Sequence, residues 1–262
     1  MLILLAKLRA RLPRRNPEIS FRLIDGWAII VDGTLAGLHH QNLLIDTGAV
    51  PSAISTRLAQ QLALSGSSSE LSVMNRSIGV ERVRVPEVRL GPLSVPALDM
   101  MSVHLEAIEQ ALGTRIDAVI GLDFLAQQNF SLDYRRKKLI VGDNTIAPEA
   151  ITFETEHEAG GAYILIPVEC SGQSLRILLD TGIKDLMLFK GRLRGTLQHL
   201  QSRSGSESQS GWARPLDRSW SLRRCELGRC HARDRRRMSG RLLKITSGTS
   251  TACLARPHLA LP

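Results

Sequence analysis

Leu43-Leu44-Ile45-Asp46-Thr47-Gly48 and Ile177-Leu178-Leu179-Asp180-Thr181-Gly182 are two copies of one pattern, three branched aliphatic residues followed by Asp-Thr-Gly. A given tripeptide recurs by chance roughly once in several thousand positions, so the copies are read as a pair. Asp46 and Asp180 lie 134 residues apart, the length of a small domain. The likeness extends upstream. Ala28-Ile29-Ile30-Val31 precedes the first copy and Tyr163-Ile164-Leu165-Ile166-Pro167-Val168 the second, and a polar stretch containing Gly33 and Gly37, or Gly172, joins each run to its Asp. Each copy therefore reads as strand, turn, strand, Asp-Thr-Gly.

An ionised carboxylate at the end of a buried strand is costly unless it is paired. A second carboxylate sharing one proton with it removes that cost. The plainer alternative is an Asx-type turn closing each strand, since Asp and Gly are common turn formers. It weighs more on the second copy, where the large Ile183 follows Gly182 in the place that Ala49 holds in the first.

With 262 residues and 43% hydrophobic content, the chain can bury a core as one large or two small domains. Its formal charge of +9 invites a nucleic-acid reading that the distribution of charge opposes. Residues 1–189 carry 18 basic against 21 acidic groups, a net of −3; residues 190–262 carry 16 against 4, a net of +12. The basic excess belongs to the last quarter, which has no recognisable nucleic-acid fold, so no nucleic-acid partner is expected. Cys225, Cys230 and Cys253 also lie there, with only Cys170 before them, which argues against a disulfide framework. Cys225, Cys230 and His231 lack a fourth metal ligand, and His39-His40, read as lying between two strands, lacks a third; no metal is expected.

The opening Met1-Leu2-Ile3-Leu4-Leu5-Ala6 is too short to span a bilayer, and its basic residues follow the apolar run instead of preceding it as in a signal peptide. Residues 1–17 are read as a basic arm, with a cytoplasmic location by default and export only if the true start lies further upstream. Residues 18–150 are read as one lobe, with many short strands over residues 18–142. Ser55 is a candidate N-cap for a short helix bearing Leu58 and Leu62, and a second helix is expected over residues 105–112, ended by Gly113. Val80-Glu81-Arg82-Val83-Arg84-Val85 and Val88-Arg89-Leu90 alternate as antiparallel strands do. Ala118-Val119-Ile120-Gly121-Leu122-Asp123-Phe124-Leu125 reads as a buried strand turning at Gly into a helix, with Asp123 as a helix cap. A hairpin follows, from Phe130, Leu132 and Tyr134 through Arg135-Arg136-Lys137-Lys138 to Leu139-Ile140-Val141.

The order Asp-Thr-Gly-Ala, Gly-bearing hairpin, apolar-apolar-Gly strand (Val119, Ile120, Gly121) and closing strand Ser131-Leu132-Asp133-Tyr134 resembles a retropepsin-like aspartic protease of the bacterial type, within the pepsin-like clan. The resemblance covers residues 27–142. It implies an all-β lobe with short helices, in which Val119, Ile120 and Gly121 pass through and buttress the loop of Asp46, Thr47, Gly48 and Ala49. It also implies peptide-bond hydrolysis by an Asp-activated water on a peptide or protein substrate, without cofactor. Asp46 supplies one catalytic carboxyl. Asp180, with Thr181 and Gly182, or Asp46 of a second copy in a homodimer through the first lobe, supplies the other. Gly79 is the candidate tip of a flap over the substrate.

No second apolar-apolar-Gly strand follows Gly182. Residues 151–190 are accordingly read as the start of a second lobe. Residues 191–262 read as a basic tail too poor in alternating apolar runs to offset its ordering entropy, with a composition resembling out-of-frame translation of a GC-rich gene. This incomplete second lobe keeps open another function, a catalytically inactive lobe serving as a dimerisation or peptide-binding module.

Overall fold

The computed structural model describes residues 16–73, 76–142, 153–158, 161–170, 173–184 and 187–188, and short strands at 201–202, 220–221, 225–227, 244–246 and 252–256. Residues 1–15 of the basic arm, Cys230, His231 and the arginine-rich 233–237 run lie outside them.

Three antiparallel strands open the fold: β1 (Glu18–Ile24), β2 (Ala28–Leu35) and β3 (Leu38–Ile45). Both connections turn through residues of positive φ, Asp25-Gly26 and Ala36-Gly37, the backbone that matches the twist of a tight hairpin. Gly37 thus makes the turn expected of it. Gly33 sits inside β2 at a register shift, where a Cβ would run into the Leu43 side chain. His39 and His40 lie on β3 and not in a loop between strands as expected; both are exposed.

From β3 the chain passes through residues 46–52 into β4 (Ala53–Ser55) and α1 (Thr56–Gln61), where Ser55 caps the helix by accepting the Leu58 N–H at 3.2 Å. A hairpin of β5 (Gly66–Val73) and β6 (Arg76–Val85) follows, then β7 (Val88–Leu90), β8 (Leu93–Val95) and β9 (Leu98–Val103). The helix α2 (Glu106–Leu112) stops at Gly113, whose φ of 62° is left-handed. The chain then enters β10 (Ala118–Ile120), α3 (Leu122–Leu125), and the hairpin β11 (Phe130–Asp133) and β12 (Lys138–Val141).

The insertion of β10 organises the lobe. It lies between β3 and β4, parallel to the first and antiparallel to the second, so the 46–52 loop wraps around its end. Both faces of this central layer are covered, which is why its strands read as unbroken apolar runs. Leu43, Ile45, Ala118 and Ile120 face one core. Leu44 and Val119, one residue out of phase, face a second, smaller core with Ala28, Ile30 and Met101.

The second Asp-Thr-Gly copy follows a meander of β13 (Glu154–Glu158), β14 (Gly161–Cys170) and β15 (Gln173–Asp180). It is not a separate body, because Ile164 and Leu179 are buried in the same core as Ile45 and Ile120, and Gly161 packs on Val50. After β16 (Met187–Leu188), the stretch read as an irregular tail contributes five strands of two to five residues among the described ones. One of them, Ala252–Arg256, lies beside β15 and β16. Its direction is the reverse of the β10 arrangement, antiparallel to the Asp-bearing strand and parallel to the next.

Candidate active site

The two Asp-Thr-Gly loops meet. Thr47 and Thr181 are fully or nearly fully buried and interlocked: each hydroxyl accepts the other's backbone N–H at 3.1 Å. Each hydroxyl also donates across to the strand carrying the other Asp, Thr47 to the Leu179 carbonyl at 2.8 Å and Thr181 to the Ile45 carbonyl at 2.9 Å. A hydroxyl can donate once and accept as well, so each Thr satisfies two backbone groups that would otherwise be buried without partners.

Within each loop the Gly N–H donates back to its own Asp, Gly48 to Asp46 at 2.8 Å and Gly182 to Asp180 at 2.7 Å. A Cβ on Gly48 would fall on the Asp180 carboxyl and one on Gly182 on the Asp46 carboxyl. Only glycine lets each loop lie flat against the opposing acid. Asp46 and Asp180 are thereby held in hydrogen-bonding contact within one chain.

Burial dominates their electrostatics. Asp180 is 7% exposed and its carboxyl is pushed up to about 8, first by desolvation and then by the Asp46 charge and the hydrogen bond between the two. Desolvation also raises Asp46. Hydrogen bonds from Asp180 and from the backbone of Gly48, Ala49 and Gly182 oppose that rise. Both carboxyls are raised, so the pair favours one shared proton.

Behind Asp46 stands the strand anticipated from the sequence. The Asp46 N–H donates to the Ile120 carbonyl at 3.0 Å, and the Leu122 N–H to the Ala49 carbonyl at 3.3 Å. A Cβ on Gly121 would overlap the Ala49 carbonyl oxygen, so the close approach demands glycine.

Two expectations are corrected. Gly79 is no hairpin tip: it lies within β6 opposite Glu70, and the β5–β6 pairing continues past it to Val73 and Arg76. Asp123 is no helix cap: Gly121 holds the cap position, and Asp123 in the first turn reaches back to Ser52, accepting its N–H at 2.8 Å and its hydroxyl at 2.5 Å. Burial holds the Asp123 carboxyl above its ordinary range, against the hydrogen bonds from Ser52. Sequence reasoning passed over Ser52, whose signal was a small hydroxyl residue six positions after Asp46. Among the described residues no group of three or more His, Cys, Asp or Glu could hold a metal ion, and no helix is long and apolar enough to cross a membrane.

The strand-rich lobe carries two facing Asp-Thr-Gly loops. Residues 31–124 match the aspartyl protease family model, a stretch that includes the first Asp-Thr-Gly and the Gly121 strand. Among solved structures, a retropepsin-like aspartic protease from Rickettsia conorii matches with 16% identity and a TM-score of 0.34, covering 48% of this chain and 89% of that one. No curated protein matches the chain.

Proposed function

We propose that this chain is an aspartic endopeptidase whose catalytic pair is Asp46 and Asp180. The observation that carries the reading is the reciprocal Thr47–Thr181 lock, which holds two carboxyls in contact at the price of desolvating both. A structural turn needs no such partner. Asp46, the charged member, takes a proton from a water lying between the carboxyls as its oxygen attacks the peptide carbonyl carbon. Asp180, protonated, donates a hydrogen bond to the carbonyl oxygen as charge develops there. Collapse of the tetrahedral species breaks the C–N bond, and the pair returns a proton to the leaving amine. The paired strands β5 and β6 are the candidate flap.

A second reading, an inactive lobe that binds peptides or a second copy of itself, is favoured by one observation. The strand beside Asp180, Ala252–Arg256, runs opposite to β10 and contains no glycine, so among the described residues Asp180 has no buttress of the kind that Asp46 has. Incubating purified protein with an unstructured peptide at about pH 4–6, with and without a pepstatin-type inhibitor, separates the two. Inhibitor-sensitive cleavage that disappears in Asp46→Asn supports the peptidase; peptide binding without cleavage supports the module.

A further inference from the structure

Asp123 is absorbed neither by the catalytic pair nor by the capping of α3. Its carboxylate accepts the Phe124 N–H next to it at 2.9 Å, but its other two bonds go to Ser52, 71 residues upstream and fully buried. Ser52 works in both directions. Its hydroxyl donates to Asp123 while accepting the Gly121 N–H at 2.9 Å. The two residues therefore join the end of the Asp46 loop to the glycine on which that loop rests. Ala49, midway along the loop, is held from the same side by the Leu122 N–H, and Asp46 itself by the Ile120 carbonyl.

We propose that Asp123 is a positioning residue for the Asp46 carboxyl, clamping residues 46–52 onto residues 120–122 through Ser52. The chemistry requires a carboxylate. Ser52 presents two donors, its N–H and its hydroxyl, to two different oxygens of Asp123. An asparagine of the same shape would offer one oxygen and one NH2, and the NH2 would face a donor. The loop would then relax around Ser52 and shift Asp46 relative to Asp180. The second Asp-Thr-Gly has no counterpart of this clamp among the described residues. This inference rests on the catalytic reading of Asp46 and Asp180, and its test is chosen to stand apart from it.

The test is a carbon-13 carboxyl titration of aspartate-labelled full-length protein, wild type against Asp123→Asn and Ser52→Ala, followed from about pH 3 to 9 by NMR. In both folded variants the two-step titration of Asp46 and Asp180 is expected to move by about half a pH unit or more. Turnover should fall about tenfold or more with KM little changed, and the double variant should lose no more than the worse single one. Pair titrations superimposable on wild type in both folded variants would overturn the proposal. If Asp123→Asn does not fold, Ser52→Ala decides; failure of both to fold would overturn it in favour of a purely structural clamp. A wild-type protein that cleaves no peptide would end the peptidase reading, while the titration would still decide the role of Asp123.

Discussion

Thr47 and Thr181 exchange hydrogen bonds across the two Asp-Thr-Gly loops, each accepting the other's N–H at 3.1 Å and donating to the carbonyl before the other's Asp. Residues 134 apart in sequence are thus joined directly. Everything proposed for the carboxyls depends on this lock.

Thr47→Val keeps the shape of the side chain and removes all its hydrogen bonding, stranding the Thr181 N–H and the Leu179 carbonyl in the interior. A loss of about 1–3 kcal/mol per stranded group is expected in urea denaturation, and Thr47→Ser should recover most of it. Equal stability of the Val and Ser variants would show that the lock contributes nothing.

Gly121 and Gly79 make a matched contrast. Gly121→Ala puts a methyl on the Ala49 carbonyl, which belongs to the backbone and cannot swing away, so a cost of about 1–3 kcal/mol or more is expected. Gly79 has open space where a Cβ would stand, and Gly79→Ala should change stability by no more than about 0.5 kcal/mol. Thermal melts of the two variants beside wild type check both.

Asp46→Asn and Asp180→Asn should each abolish peptide cleavage while leaving the circular dichroism spectrum unchanged. Because both carboxyls come from one chain, the rate per chain should not depend on protein concentration. A rate that climbs through a dimerisation range and survives Asp180→Asn would assign the second carboxyl to another copy.

The raised carboxyls link stability to pH with a definite sign. The folded chain holds the Asp180 proton more tightly than the unfolded chain does, so this stabilisation is fully present below the ordinary value of 3.8. It is progressively lost as pH rises towards about 8. Asp46, also raised, acts in the same direction from the same lower bound. Melting temperatures measured across this window should therefore fall with rising pH in wild type and fall less in Asp180→Asn. Cleavage, which needs one proton on the pair, should decline on the alkaline side as Asp180 ionises.

Much of the first lobe was legible because its signals are local. Ser55 caps α1, Gly113 ends α2, and the charged turn after Tyr134 joins β11 to β12, all as the residues in place require. The place of Gly79 on its hairpin and the partners of Asp123 were misread for the opposite reason. Hairpin register depends on how far β5 pairs with β6, and a carboxylate's partner 71 residues away leaves no trace in its neighbours.

By itself the sequence determined that two acidic turns of one kind end two apolar strands, and that a glycine strand stands ready to buttress the first. Periodicity and glycine placement follow from backbone sterics, which each short segment carries within itself. Only the tertiary structure decided that Asp180 faces Asp46 and that Leu179 and Ile164 complete the core behind Ile45. It alone also set Ala252–Arg256 beside β15 in the reverse direction of β10. Those outcomes depend on which surfaces are buried together, and burial is a property of the assembled chain.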